Sequence, residues 1–230
     1  MRIARRRSSG GRAVAAMACG LVLVGCWLLI APAVLVGGQP SDLLARTDGR
    51  ERGDPQAPVT LIEYSDFTCG FCLKFFRETW PRLRADYVET GKVRFLYRDF
   101  PRGFQGPGLD AAVAARCAGD QGRYWQMHDR LFGDDRRLGP ADLQRHAQTI
   151  GLDLPLFSKC LEEAPHTDAI RRDREEGVRL GFVGTPGFVL LRTQGTGQQR
   201  PIAIPGAVPF EVFQKQIDRL LGTPSPKGKG

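Results

Sequence analysis

Histidine is scarce in this chain: His128, His146 and His166 are the only three in 230 residues. The sequence holds one Cys-x-x-Cys, "FTCGFC" at 67–72, and no second one. A structural zinc site needs four ligands, so half a site with distant histidines excludes the zinc-ribbon reading. No metal and no other cofactor is expected. No internal repeat is present, which excludes a repeat array. A basic stripe interleaved with aromatics is missing too. The formal net charge is +8, but Arg2, Arg5, Arg6, Arg7 and Arg12 cluster at the start, and Lys227 and Lys229 sit in a Gly/Pro/Ser tail. The remaining body is close to neutral, which excludes a nucleic-acid partner.

Charge is absent altogether from residues 13–36, "AVAAMACGLVLVGCWLLIAPAVLV". As a helix rising about 1.5 Å per residue, this run exceeds the roughly 30 Å hydrocarbon core of a bilayer. The arginines of residues 1–12 place the N-terminus in the cytoplasm. Three fates remain open for the segment. It is a retained single-span anchor, a signal peptide cut after Ala33, where Ala31 and Ala33 make an A-x-A-like site, or a lipoprotein signal ending at Cys26 in "LVGC". The apolar residues Trp27 to Ile30 after that cysteine do not suit the last. Each fate exports the rest of the chain. Cys19 and Cys26 otherwise read as small apolar residues. Residues 37–57, rich in Gly, Pro and charge, read as a linker. The folded domain is expected over 58–222, with residues 223–230 a disordered tail.

Hydrophobic residues make up 42% of the chain, enough for a core that needs no disulfide framework. "VTLIEYSDF" at 59–67 reads as a buried strand. Cys72, Phe76, Trp80, Leu83 and Tyr87 recur at helical spacing and predict a helix over 70–87, with Pro81 as a bend. "KVRFLYRDF" at 92–100 is a second strand with Val93, Phe95 and Tyr97 alternating. Strand, helix, strand makes a parallel unit with a right-handed crossover. Helices follow near 109–119, 122–133, 140–150, 154–164 and 166–180. Strands return at 186–192 and 200–206, joined through the Gly-rich turn "TQGTGQQ". A last helix near 209–221 packs Phe210, Phe213, Ile217 and Leu220.

The position of the cysteine pair decides its chemistry. Cys69 ends the strand-to-helix turn, where free N–H groups and the helix dipole stabilise an anion. Cys72 lies one turn in, on the apolar face. One sulfur is therefore expected to be exposed and nucleophilic, the other shielded and poised to resolve a mixed disulfide. A four-residue ring closes too little chain to act as a structural staple.

"APVTLIEYSDFTCGFC" resembles the active-site segment of the DsbA-like branch of the thioredoxin superfamily, and the resemblance covers about residues 50–222. It implies an α/β, thioredoxin-like fold with a DsbA-type helical insertion (about 105–182) between the second and third strands. It implies further that Glu63, six residues before Cys69, is a buried acid beneath the disulfide, handling the proton of Cys72; the plain alternative is a surface residue on an alternating strand. In "GTPG" at 184–187 the family's cis-proline falls on Pro186 after Thr185, with an ordinary trans turn proline as the alternative. Thr185 and Pro186, with Gly70 and Phe71 of the dipeptide, would then bind the substrate strand. The dipeptide departs from the Pro-His of the strongly oxidising members, so a potential between those of thioredoxin and DsbA is expected.

Some DsbA-like proteins carry a second disulfide. Cys117, in helical register with Leu109 and Val113, and Cys160, in register with Phe157 and Leu161, are candidates for one; two separate free thiols are the alternative. The function implied is an exported protein-disulfide oxidoreductase acting on substrate-protein thiols. Its catalytic domain would lie on the periplasmic side of a bacterial inner membrane, tethered, lipid-anchored or soluble. An oxidase role implies a membrane quinone-linked partner, and a reductase or isomerase role an electron-donating one. Residues 37–57 are too short for the dimerisation domain of known isomerases, so a monomer is expected. A non-catalytic chaperone or copper-handling module is the competing class.

Overall fold

The computed structural model describes residues 40–222, apart from 47, 134–136 and 195–199. The expected membrane or signal segment at 13–36, the tail at 223–230 and most of the Gly-rich turn lie outside the described residues. Among those described, no helix is long and apolar enough to cross a membrane.

In chain order the elements are α1 (Pro40–Ala45), β1 (Glu51–Arg52), β2 (Val59–Ser65), α2 (Gly70–Lys74), a π-helical turn (Phe75–Thr79), α3 (Trp80–Leu83), a second π turn (Arg84–Val88) and β3 (Val93–Asp99). Then come α4 (Pro107–Asp120), α5 (Tyr124–Gly133), α6 (Pro140–Thr149), α7 (Leu154–Glu163), α8 (Thr167–Arg179), β4 (Gly187–Arg192), β5 (Ile202–Pro205) and α9 (Phe210–Leu221). The sheet order is β1-β3-β2-β4-β5, with β2 and β3 parallel and every other pair antiparallel. This is a thioredoxin-like α/β fold with five helices inserted between β3 and β4. The insertion helices begin and end within about two residues of the ranges their apolar periodicity predicts.

Central β2 is buried at all seven positions. Its odd-numbered side chains, Val59 and Leu61, join the main core with Phe75, Phe95, Phe188 and Phe213. Its even-numbered ones, Ile62 and Tyr64, join a second core with Leu43, Leu96, Phe100 and Val189. Helices thus cover both faces, and this alters two expectations. Strand β3 alternates Val93, Phe95 and Tyr97 toward the main core, yet the intervening Arg94, Leu96 and Arg98 are buried as well. Residues 37–57 are also not simply a linker. Leu43 of α1 is 1% exposed in the second core, and β1 pairs with β3 at the sheet edge.

The charges that made this stretch look solvated are neutralised inside the fold. Arg50 donates to Asp99 (3.0 Å) and Asp173 (2.8 Å), and Arg116 donates to the same two carboxylates (2.7 Å each). Arg46 donates to Asp173 (2.9 Å) and Glu176 (2.6 Å), and the Tyr64 hydroxyl closes the cluster on Glu176 (2.6 Å). Burial opposes ionisation of Asp173, but the guanidinium groups of Arg50, Arg116 and Arg98 outweigh it and hold this carboxyl below its usual range. Gly177 lets α8 approach closely: a Cβ there would lie 2.6 Å from the Phe100 ring.

The helix after β2 keeps helical backbone angles from Gly70 to Val88 but widens twice. Pro81 has no N–H to donate, and its ring crowds the carbonyl four residues back. The preceding turn opens to the π spacing, with Trp80 N–H on Phe75 O. The register shift brings Phe75 and Thr79 into the core beside Cys72, Trp80, Leu83 and Tyr87, and leaves Phe76 half-buried. In the insertion a disulfide joins Cys117 to Cys160 across a Cα–Cα distance of 5.9 Å, tying α4 to α7.

Candidate active site

The turn from β2 into α2 is set by Asp66. Its carboxylate accepts the backbone N–H (2.8 Å) and hydroxyl (2.7 Å) of Thr68, and the N–H of Arg102 (2.9 Å), while its carbonyl accepts the N–H of Cys69 (2.9 Å). Cys69 is thereby fixed as the N-cap residue of α2, with extended backbone angles. Cys69 and Cys72 are both free thiols.

The pKa of Cys69 is pulled down to about 5. The largest cause is the Cys72 thiol, which donates to its sulfur. Burial works in the opposite direction, and the Thr185 hydroxyl and the N–H groups of Cys72 and Phe71 add further donors. As a thiol, Cys69 donates instead to the Thr185 carbonyl (3.3 Å). Thr185 therefore offers a partner to each protonation state. The sulfur is less open than the sequence suggests. Cys69 is 8% exposed, whereas Gly70 is exposed and Phe71 is 65% exposed. Access to the sulfur thus lies between the exposed dipeptide and the Thr185 loop.

Cys72 is fully buried, and its thiol is pushed well above the ordinary range. Burial is the main cause, followed by its donation to Cys69 and the negative charge of Glu63. Glu63 is 3% exposed, in register with Tyr97 on β3 and Phe188 on β4. Burial raises its carboxyl to about 8; the Ser65 hydroxyl works against that rise, and the Cys69 charge adds to it. The Thr185–Pro186 peptide is cis, Pro186 is buried, and its carbonyl accepts the N–H of Gly206 (2.8 Å).

Glu63, Cys69, Cys72, Thr185 and Pro186 are therefore brought together, with Gly70 and Phe71 at the rim. Cys117 and Cys160 form a separate bridge in the insertion. His166 places a ring nitrogen within 4.8 Å of both of those sulfurs, but the sulfurs are committed to their disulfide. His128 is buried among Tyr97, Trp125 and Phe132, with Nδ1 on Asp129 (2.9 Å). Sequence reasoning does not reach Asp66 or Ser65. The period of two along a strand, carried forward from Glu63, is the signal that places Ser65 on the same face.

Two free thiols of very different acidity thus lie within one helical turn, at the end of the central strand of a thioredoxin-like sheet. A family model described as Thioredoxin matches residues 46–208. The α-DsbA1 structure from Wolbachia pipientis is 27% identical, with a TM-score of 0.65 over 75% of this chain and 90% of that one. A thioredoxin-like oxidoreductase from Silicibacter pomeroyi is 29% identical, with a TM-score of 0.66 over 80% and 99%. The sequence is also similar to the Na(+)/H(+) antiporter NhaA 3 of Salinispora tropica, 34% identical over 158 residues; these are 68% of this chain and 24% of that protein, so the chain spans about a quarter of that relative's length. The chain belongs to the thioredoxin family, in its DsbA-like branch of thiol:disulfide oxidoreductases.

Proposed function

We propose that this chain is an exported oxidase of folding proteins, passing a Cys69–Cys72 disulfide to substrate thiols. A substrate thiolate attacks the Cys69 sulfur, the Cys69–Cys72 bond breaks, and Cys72 leaves with a proton from Glu63. A second substrate thiolate then attacks the substrate sulfur of the mixed disulfide and releases the Cys69 thiolate. The substrate loses two electrons and the Cys69–Cys72 pair gains them. Thr185 and Pro186 hold the substrate strand against Cys69, with Gly70 and Phe71 beside it.

The observation that carries this reading is the placing of Cys69 at the N-terminus of α2 beside the Cys72 thiol and Thr185, which lowers its pKa to about 5. A stabilised thiolate favours the reduced pair and makes its disulfide the stronger oxidant. The apolar, uncharged run at 13–36 supports export, with the domain on the periplasmic side of a bacterial inner membrane, tethered or lipid-anchored there or released as a soluble monomer. A quinone-linked membrane oxidase would then restore the disulfide. Ion transport is not carried over from the antiporter relative, whose similarity is confined to a quarter of its length.

The Gly-Phe dipeptide favours a second reading, a reductase or isomerase fed by an electron donor. Thiol trapping in intact cells separates the two. A mostly oxidised Cys69–Cys72 pair supports the oxidase, and a mostly reduced pair supports the alternative. Full biological activity of a Cys69→Ser protein would point to a chaperone or copper-handling role without turnover.

A further inference from the structure

Exchange requires a proton to leave and re-enter Cys72, yet this thiol is wholly buried. Glu63 is the nearby base, and Ser65 lies two residues further along the same strand. The side chains of 63 and 65 share one face of β2. Ser65 is 1% exposed, and its Oγ is sealed from solvent without a committed hydrogen-bond partner. Its hydroxyl is near enough to the Glu63 carboxylate and the Cys72 sulfur to lower the pKa of each, with a settled hydrogen bond to neither. A buried hydroxyl left uncommitted costs about 1–3 kcal/mol, so its presence in the core is not explained by stability. One hydroxyl is a donor and an acceptor at once, and it rotates freely.

We propose that Ser65 relays the proton between Cys72 and Glu63. This rests on the reading of Cys72 as the resolving thiol. The Cys72 S–H proton passes to Ser65 Oγ as the Ser65 proton passes to the Glu63 carboxylate. The Cys72 thiolate then attacks the Cys69 sulfur of the mixed disulfide; the Cys69–Cys72 bond forms, and the substrate leaves as a thiolate. Glu63 ends neutral and Ser65 ends as a hydroxyl. The oxidising direction runs the same shift backwards. The other titratable groups around the relay are Cys69 and Asp66 from the turn, Asp99 paired with Ser65 on β3, and Tyr97 paired with Glu63. Tyr97 also carries a buried hydroxyl without a partner. Tyr97 acts on Glu63 and Cys72 only through charge, whereas the uncommitted Ser65 hydroxyl lowers the pKa of both, so Tyr97→Phe serves as the control.

The test uses the full chain in detergent, with Cys69 loaded as a mixed disulfide with nitrothiobenzoate. Release of the chromophore is followed by stopped flow across pH 5–9. Ser65→Ala should slow release about a hundredfold, the lower end of what loss of a proton-transfer group costs, and should flatten the rise near pH 8. Glu63→Gln should do the same, and the double variant should be no slower than the slower single one. Ser65→Thr should recover most of the rate, Tyr97→Phe should change little, and the loading of Cys69 should be unchanged throughout. In mixtures of light and heavy water the wild-type rate should curve, because two protons move together. Wild-type release from Ser65→Ala, additive losses in the double variant, or a linear isotope dependence would overturn the relay while leaving Cys72 as the resolving thiol. Failure of the wild type to release the chromophore would overturn both.

Discussion

Replacing Glu63 by Gln keeps the shape and the hydrogen-bonding capacity of the side chain and removes its charge. In the unfolded chain this carboxyl titrates near 4.5, and in the reduced folded protein near 8. The folded state therefore holds the proton more tightly. Its stability is greatest below pH 4.5 and is lost as the pH rises toward 8. Across that window the loss is about 1.4 kcal/mol per pH unit. It amounts to about 3 kcal/mol at pH 7 and about 5 kcal/mol above pH 9. Glu63→Gln carries no such titration. It should match the reduced wild type near pH 4, exceed it by about 3 kcal/mol at pH 7, and exceed it further at pH 9. In the oxidised protein Cys69 bears no charge, so the gap should be smaller. Urea unfolding of both proteins at each pH measures this directly. A stability difference that stays constant with pH, or a variant less stable than wild type at pH 7, would refute a buried, proton-retaining Glu63.

Cys69 should alkylate with a half-maximal rate near pH 5 while Cys72 stays unreactive, as read by mass mapping; equal labelling at pH 6 would contradict the asymmetry. A Cys72→Ala protein should accumulate mixed disulfides with substrates on non-reducing gels, and Cys69→Ala should accumulate none. Removing the Cys117–Cys160 bridge by a double Ala substitution should cost up to about 4 kcal/mol in urea unfolding, from the loop of 43-residue separation that it closes. Asp173→Asn should cost about 3–5 kcal/mol, because it leaves the buried Arg50 and Arg116 with only Asp99 of the two carboxylates they share; an unchanged unfolding midpoint would show that the cluster is not holding α8 to the sheet.

Local signals made much of this molecule legible in its sequence. Cys69 and Cys72 are adjacent in the chain, and the apolar spacings of α4 to α9 are repeated over enough turns to fix their limits closely. What escaped depends on partners distant in sequence. Arg50 looks solvated until Asp99 and Asp173, 49 and 123 residues away, are placed beside it. For that reason residues 37–57 read as a linker, although Leu43 within them packs in the second core and Glu51–Arg52 pair with β3. Arg94 and Arg98 conceal a buried strand face in the same way. The wide turn before Pro81 exchanges Phe76 for Phe75 in the core, which an ideal 3.6-residue period does not anticipate. Ser65 carries no motif of its own, and only its register with Glu63 marks it.

The most direct test of the account mixes the oxidised chain with a reduced, unfolded protein that needs disulfides, and counts thiols on both after acid quenching. The account predicts that two substrate thiols are lost for each chain whose Cys69–Cys72 pair becomes a dithiol, with no transfer from Cys69→Ser. An intact Cys69–Cys72 disulfide after mixing, or transfer that survives Cys69→Ser, would contradict it.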